Sequence, residues 1–205
     1  DGSCTIENLR NISDIKISCE ILEHLGAKIT RNSEHSITID TSNITTTKAP
    51  LDLTSKFRAS YYIIGAMLGR KGEIEVGMPG GCKLGARPID QHIKGFETLG
   101  ANVSVEKGKI YAKAKKLKGA PIYMDIVSVG ATINVMLASV LAKGTTTIDN
   151  AAKEPHIVDV ANFLNTMGAD IRGAGTDVIK INGVEKLHGG STYSVVPDQI
   201  EAGTF

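Results

Sequence analysis

The chain has 205 residues, 41% of them hydrophobic, and its 23 basic and 22 acidic side chains leave a formal net charge of +1. That is enough apolar material for one large domain or two small ones, and it excludes any overall electrostatic pull towards nucleic acid or a membrane surface. No apolar run reaches membrane-spanning length, and Cys4, Cys19 and Cys82 show neither CxxC nor metal-ligand spacing, which fits a soluble protein of a reducing cytoplasm with no metal or other cofactor.

In chain order, Cys4-Thr5-Ile6-Glu7 reads as a strand, and Ser13 or Asp14 as the cap of the helix that follows. That helix ends in Ile21-Leu22-Glu23-His24-Leu25-Gly26-Ala27. The same ending returns as Gly95-Phe96-Glu97-Thr98-Leu99-Gly100-Ala101 and again as Phe163-Leu164-Asn165-Thr166-Met167-Gly168-Ala169, a period of about 70 residues. A predicted hairpin follows each glycine, the second turning near Lys107-Gly108 and the third near Gly173-Ala174-Gly175.

A second helix also repeats: Arg58-Ala59-Ser60 leads through Ile63, Ile64, Met67 and Leu68 to Lys71-Gly72, and Gly130-Ala131-Thr132 leads through Val135, Met136, Ser139 and Val140 to Lys143-Gly144. Strands Glu73 to Val76 and Thr145 to Ile148 come next, then loops running into helices expected to open at Pro88 and Pro155. The unit is strand, helix, strand, helix, strand, strand, and the first copy lacks its opening strand and helix. Three such units, at about 1–50, 51–118 and 119–187, predict one closed pseudo-threefold α/β domain with sheets outside and helices inside. On pattern alone, the alternative is an open α/β sandwich. The residues past about 197 read as the start of a linker, and a chain that begins with Asp1 and stops at Phe205 reads as a piece of something longer.

The stretch richest in chemistry is Met78-Pro79-Gly80-Gly81-Cys82-Lys83-Leu84-Gly85-Ala86-Arg87-Pro88-Ile89-Asp90. Its glycines permit close approach of a ligand to the backbone, and a helix start just beyond it favours anions. Arg87 adds a bidentate donor for phosphate or carboxylate. Lys83, Arg87 and the helix start should lower the Cys82 thiol pKa, although a small residue in a tight turn explains a lone cysteine equally well. His92, one turn on, could face this loop. Glu154-Pro155-His156 holds the equivalent place in the third unit, and a role at a helix start accounts for it as well as a role in the cleft.

The lysines from Lys107 to Lys118 alternate with Ile110 and Ala112 as on a solvated edge strand, and only Tyr111 is near them to stack on a base. A Walker loop is ruled out because Ala86-Arg87 replaces the required Lys-Ser/Thr, and no GxGxxG is present.

Taken together, Pro79-Gly80-Gly81-Cys82-x-x-Gly85-Ala86-Arg87-Pro88-x-Asp90, with Arg58 upstream and Ser128-Val129-Gly130-Ala131-Thr132 and Asn150-Ala151-Ala152-Lys153-Glu154-Pro155 downstream, closely resembles the UDP-N-acetylglucosamine 1-carboxyvinyltransferase family. The resemblance runs from about Thr5 to Phe205. It implies an inside-out α/β barrel domain of three repeats (class α/β, or α+β), paired with a similar second domain. It implies transfer of the enolpyruvyl group of phosphoenolpyruvate to the 3'-hydroxyl of UDP-N-acetylglucosamine with release of phosphate, the step that begins peptidoglycan synthesis. It makes Cys82 the donor of a proton to C3, able to hold a covalent phosphoenolpyruvate adduct and open to alkylation by fosfomycin. It assigns contacts with the UDP-sugar to Arg58, Arg87, Pro88, Ile89, Asp90 and Gln91, places Tyr62 on the sugar site, and gives the nucleotide to Val127, Ser128, Val129 and Gly130.

Ile126 departs from relatives that carry lysine there. The family's N-terminal Lys-Asn pair and its second domain, with the general base, are absent, so turnover by these residues alone is not expected. Two other readings stand beside this one: a non-catalytic domain that folds or binds UDP-sugar weakly, and the sister enolpyruvyl transferase of the shikimate pathway, against which the Pro-Gly-Gly-Cys loop argues.

Overall fold

The structure is a computed structural model that describes residues 2–80 and 88–204. It opens with β1 (Ser3–Glu7), α1 (Ser13–Leu25) and the hairpin of β2 (Lys28–Ser33) and β3 (Ser36–Asp40). A short α2 (Leu51–Thr54) and a 3-10 turn (Arg58–Tyr61) lead to α3 (Tyr62–Lys71), β4 (Glu73–Gly77), α4 (Asp90–Thr98) and the hairpin of β5 (Asn102–Glu106) and β6 (Lys109–Lys113). The chain repeats the pattern in β7 (Pro121–Tyr123), α5 (Val129–Ser139), β8 (Thr145–Asp149), α6 (Pro155–Thr166), β9 (Asp170–Arg172) and β10 (Val178–Asn182). It closes with β11 (Thr192–Ser194) and α7 (Gln199–Thr204), the latter lying where the linker was expected.

The three recurring helix endings are the same device. Gly26, Gly100 and Gly168 all have φ between 93° and 108°, a left-handed conformation that lets each N–H return to a carbonyl of the last helical turn. Each helix is thereby stopped and aimed into its hairpin. Among the described residues the strands form three sheets, ordered β11-β1-β3-β2, β4-β6-β5 and β7-β8-β10-β9. Their inward residues, such as Ile37, Ile74, Ile110, Ile148, Ile179 and Ile181, alternate with half-buried or exposed ones, as half-buried strands require.

α5 lies at the centre, and nine of its residues are buried, including Ala131, Val135, Met136 and Ala138. A helix apolar on all sides is a core helix, and each fully buried Val or Met contributes about 1.5–3 kcal/mol. α3 and α4 approach it closely through glycines: a methyl at Gly65 would overlap the Asn134 carbonyl oxygen, and one at Gly95 would overlap Val135 Cγ2.

The structure corrects five expectations. The opening strand of the first unit is present, because β11 pairs in parallel with β1 (Thr5 opposite Thr192), as β7 pairs with β8 and Lys48 bridges to Glu75. The far end of the chain thus completes the first sheet. No described helix takes the missing helix's place; beside α3, α5 and α6 lies an apolar groove of about 420 Å³ lined by Gly69, Leu137, Leu141, Phe163 and Met167. Among the described residues the three sheets remain separate and do not close into one continuous wall.

The lysine-bearing β6 is a central strand, with Lys109 paired to Glu75 at 2.6 Å and Lys113 to Glu73 at 2.8 Å on β4. Its lysines thus serve cross-strand pairing and do not guard an edge. Pro155 opens α6, but α4 begins at Asp90 with Ile89 before it, so Pro88 lies outside that helix. Ser13 and Asp14 fall inside α1, whose cap position is Ile12, and neither makes a capping bond.

Candidate functional site

Three stretches far apart in sequence meet at one cleft of about 310 Å³. The 3-10 turn gives Arg58 and Tyr61, the start of α4 gives Pro88, Asp90, Gln91 and His92, and the start of α5 gives Ile126, Val127, Ser128 and Gly130. Two helix N-termini therefore converge on it. At α5, Ser128 caps the helix by accepting the Ala131 N–H at 3.3 Å. The positive end of that helix dipole and its first free N–H groups face an opening lined by Arg58, a setting that favours an anion.

Arg58 lies over the Tyr61 ring at 5.2 Å from its centroid, which orients the guanidinium. Gly130 has to be glycine here, since a methyl would overlap the Tyr61 hydroxyl and come within 3.1 Å of His92 Cε1. Ile126 and Val127, 69% and 54% exposed, form an apolar rim. His92 is buried, and that burial, aided by Arg58 and opposed by Asp90, pulls its pKa down to about 4. The imidazole is neutral at physiological pH.

The rim is tied to α4 through Asp125. The Asp125 N–H donates to Gln91 Oε1 at 3.0 Å, Gln91 Nε2 donates to Asp125 Oδ2 at 3.2 Å, and Lys94 Nζ lies 2.6 Å from Oδ1. The Gln91 amide is thus committed to holding the 125–128 segment. Asn150, at φ 57°, secures the other side by donating to the Met124 carbonyl at 2.8 Å.

Hydrogen bonds from Lys94 and then Gln91 lower the Asp125 pKa, so the contribution of this tie is present above the ordinary carboxylate range and is lost as pH falls through the depressed value. In an NMR titration the Asp125 carboxyl should show a midpoint below the roughly 3.9 of a free aspartate, and the Gln91 side-chain amide should move with it.

Of the residues proposed from the sequence, Arg58, Pro88, Asp90, Gln91, Val127, Ser128 and Gly130 share this cleft. Ile89 is in the core. Tyr62 packs edge-on to Tyr61 at 4.8 Å, behind the cleft wall, with its pKa raised by burial. Val129 lies on a separate groove of about 570 Å³ with Glu154, Pro155, His156, Asp159 and Asp198, so the Glu154 segment does not share the cleft. That larger groove carries carboxylates, the wrong sign for a polyanion. Cys82 and Arg87 lie outside the described residues. Sequence reasoning missed Tyr61 and Asn134; the signal for Asn134 was a lone amide in the mostly apolar run Val129-Gly130-Ala131-Thr132-Ile133-Asn134-Val135-Met136.

Three sheets packed outside buried helices, with two helix starts and an arginine at one anion-suited cleft, define a domain of the enolpyruvyl transferase type. The chain belongs to the EPSP synthase (3-phosphoshikimate 1-carboxyvinyltransferase) family, whose model matches residues 1–205. It is 59% identical over 204 residues to a UDP-N-acetylglucosamine 1-carboxyvinyltransferase of Clostridium botulinum, covering 100% of this chain and 49% of the relative. It is 59% identical over 205 residues to UDP-N-acetylglucosamine 1-carboxyvinyltransferase 2 of Clostridium acetobutylicum, with 100% and 49% covered.

The chain spans about half the length of the curated relatives it matches. Among solved structures it is similar to the enolpyruvyl transferase NikO of Streptomyces tendae, with a TM-score of 0.85 at 25% identity over 99% of this chain and 48% of that one. EPSP synthase from Acinetobacter baumannii, with a TM-score of 0.71 at 20% identity over 95% of this chain and 44% of that one, shares the fold. Among the described residues no helix is long and apolar enough to cross a membrane.

Proposed function

We propose that this chain forms one half of a cytoplasmic enzyme that moves the enolpyruvyl group of phosphoenolpyruvate to the 3'-hydroxyl of UDP-N-acetylglucosamine and releases phosphate, the first committed step of peptidoglycan synthesis. In this reading residues 1–197 are one domain, 198–205 lead to a second, and the substrates lie between the two. The observation that carries it is the convergence of Arg58, Asp90, Gln91, Ser128 and Gly130 on one cleft, in a chain whose relatives bear that name over all of its length.

In chemical terms, a proton added to C3 of phosphoenolpyruvate makes C2 electrophilic, the sugar hydroxyl adds to C2 as its proton passes to a base, and loss of phosphate with a proton from C3 restores the double bond. Cys82 is the acid of the first step, and a base from outside this chain serves the second. Arg58 and the start of α5 receive the nucleotide diphosphate, and Arg87 the phosphorylated enol. By itself the chain binds UDP-sugar without turning it over.

Titrating the chain with UDP-N-acetylglucosamine should shift the backbone amides of Gln91, Ser128 and Gly130. Arg58→Ala should weaken that binding about tenfold or more, the scale of one charged hydrogen bond. Shifts confined to the Glu154 groove, or none, would refute the assignment.

A further inference from the structure

Asn134, fully buried where α3, α4 and α5 meet, has partners that leave its amide a single orientation. Its Oδ1 accepts the Gly65 N–H at 2.9 Å, and its Nδ2 donates to the Tyr61 carbonyl at 3.0 Å. A backbone N–H can only donate and a carbonyl can only accept, so the chain itself settles which end of the amide is which. The other Nδ2 proton points at His92 Nδ1, 3.1 Å away. That nitrogen must therefore accept, and in a neutral ring the proton then sits on Nε2.

His92 is 4% exposed, stands edge-on to the Tyr61 ring at a centroid distance of 4.6 Å, and lines the cleft. With Nδ1 occupied, Nε2–H is the one polar group the ring can offer there, and no described residue takes it. The charged groups facing the ring are Arg58 from the 3-10 turn and Asp90 from the start of α4; α5 carries no ionisable side chain. Protonating Nδ1 would set its N–H against the Asn134 amide protons and place a second cation beside Arg58. The geometry and the burial both oppose it.

We propose that Asn134 is a positioning residue: it locks His92 as the neutral Nε2–H tautomer, so that the cleft presents an uncharged hydrogen-bond donor to an acceptor oxygen of the sugar nucleotide. The ligand half of this inference rests on the function proposed above, and the tautomer half does not.

NMR of the full chain with isotope-labelled histidine separates the two. His92 should appear as the Nε2–H tautomer, without titrating between about pH 5.5 and 8, and UDP-N-acetylglucosamine should move its Nε2 resonance. An Nδ1–H tautomer, or a midpoint near that of free histidine, would overturn the proposal whether or not the ligand binds. Ligand shifts at Ser128 and Gly130 that leave Nε2 unmoved would overturn the donor role alone. A ligand that shifts nothing would defeat the sugar-nucleotide reading and the donor role with it, while the tautomer would still be decided.

Asn134→Asp supplies the second arm. The carboxylate can still accept from Gly65 but also accepts from His92, so the imidazole midpoint should rise by about 1–3 units, and UDP-N-acetylglucosamine affinity should become pH-dependent across it. A merely structural Asn134 predicts an affinity loss equal at every pH. Should Asn134→Asp fail to fold, the tautomer of the unsubstituted chain decides the question.

Discussion

Adding one methyl at Gly65 is expected to destabilise the fold by about 3 kcal/mol. Alanine is the better helix former by up to about 1 kcal/mol, so on propensity alone Gly65→Ala should stabilise α3. Packing outweighs that gain. The new Cβ would overlap the backbone carbonyl oxygen of Asn134, which no rotamer change can move aside, and would lie 2.8 Å from its Oδ1. α3 and α5 must separate, an overpacking penalty of about 1–3 kcal/mol. The Gly65 N–H to Oδ1 bond of 2.9 Å breaks with it, leaving a buried acceptor unsatisfied at about 1–3 kcal/mol more.

Gly100→Ala is the control. Nothing lies within 4 Å of a Cβ there, so only its left-handed φ of 93° is penalised, by about 1–2 kcal/mol. Urea unfolding at unchanged m should show Gly65→Ala as clearly the worse of the two. Equal midpoints would mean that the two helices are not in the close contact described.

How far the sequence carried the fold depended on the range of each interaction. The three helix endings at Gly26, Gly100 and Gly168 were legible because a left-handed stop is a local requirement that glycine meets at least strain. The hairpins at Lys107-Gly108 and Gly173-Ala174-Gly175 were legible for the same reason. The pairing of β1 with β11 was not, because a parallel partner arrives from far along the chain as three residues, too few to announce a strand.

At the cleft, Tyr61 was not legible because its place depends on a short turn that no period in the sequence announces. The resemblance names Tyr62, and the 3-10 turn from Arg58 to Tyr61 puts its neighbour Tyr61 on the cleft lining, with Tyr62 packed edge-on against it. The lysines of β6 pointed to an edge because lysine guards edges, but their partners are glutamates on β4, and cross-strand pairing is invisible until the register is known. Asn134 shows the same limit: one amide in an apolar helix announces a polar contact without naming its three partners.

The largest effect on activity is expected at Cys82, in a polypeptide of the full length of the curated relatives. Cys82 itself lies outside the described residues, but the chain on either side of it is firmly held. Before it, the Met78 N–H donates to the Gly108 carbonyl at 2.8 Å, and Gly80 presses so closely on the Ser55 carbonyl that a side chain there would overlap it. After it, Pro88 lines the cleft and Ile89 is buried in the core. The flank at Pro88 thus lies on the same opening as Arg58.

If the thiol is the acid that protonates the enol, Cys82→Ala removes the group whose proton creates the electrophile, and turnover should fall by about 10²–10⁴-fold. In the proposed reading UDP-N-acetylglucosamine is held by Arg58 and the start of α5, so its dissociation constant should move far less than kcat. The direction of the pH dependence follows from the same role. The reactive form is the protonated thiol, so the rate should decline on the alkaline side as the thiol ionises. Fosfomycin, which needs the nucleophile, should add to Cys82 and to no other cysteine, and mass spectrometry of the alanine variant should show no adduct. Full turnover by Cys82→Ala would remove the thiol from the chemistry and overturn the role proposed for it.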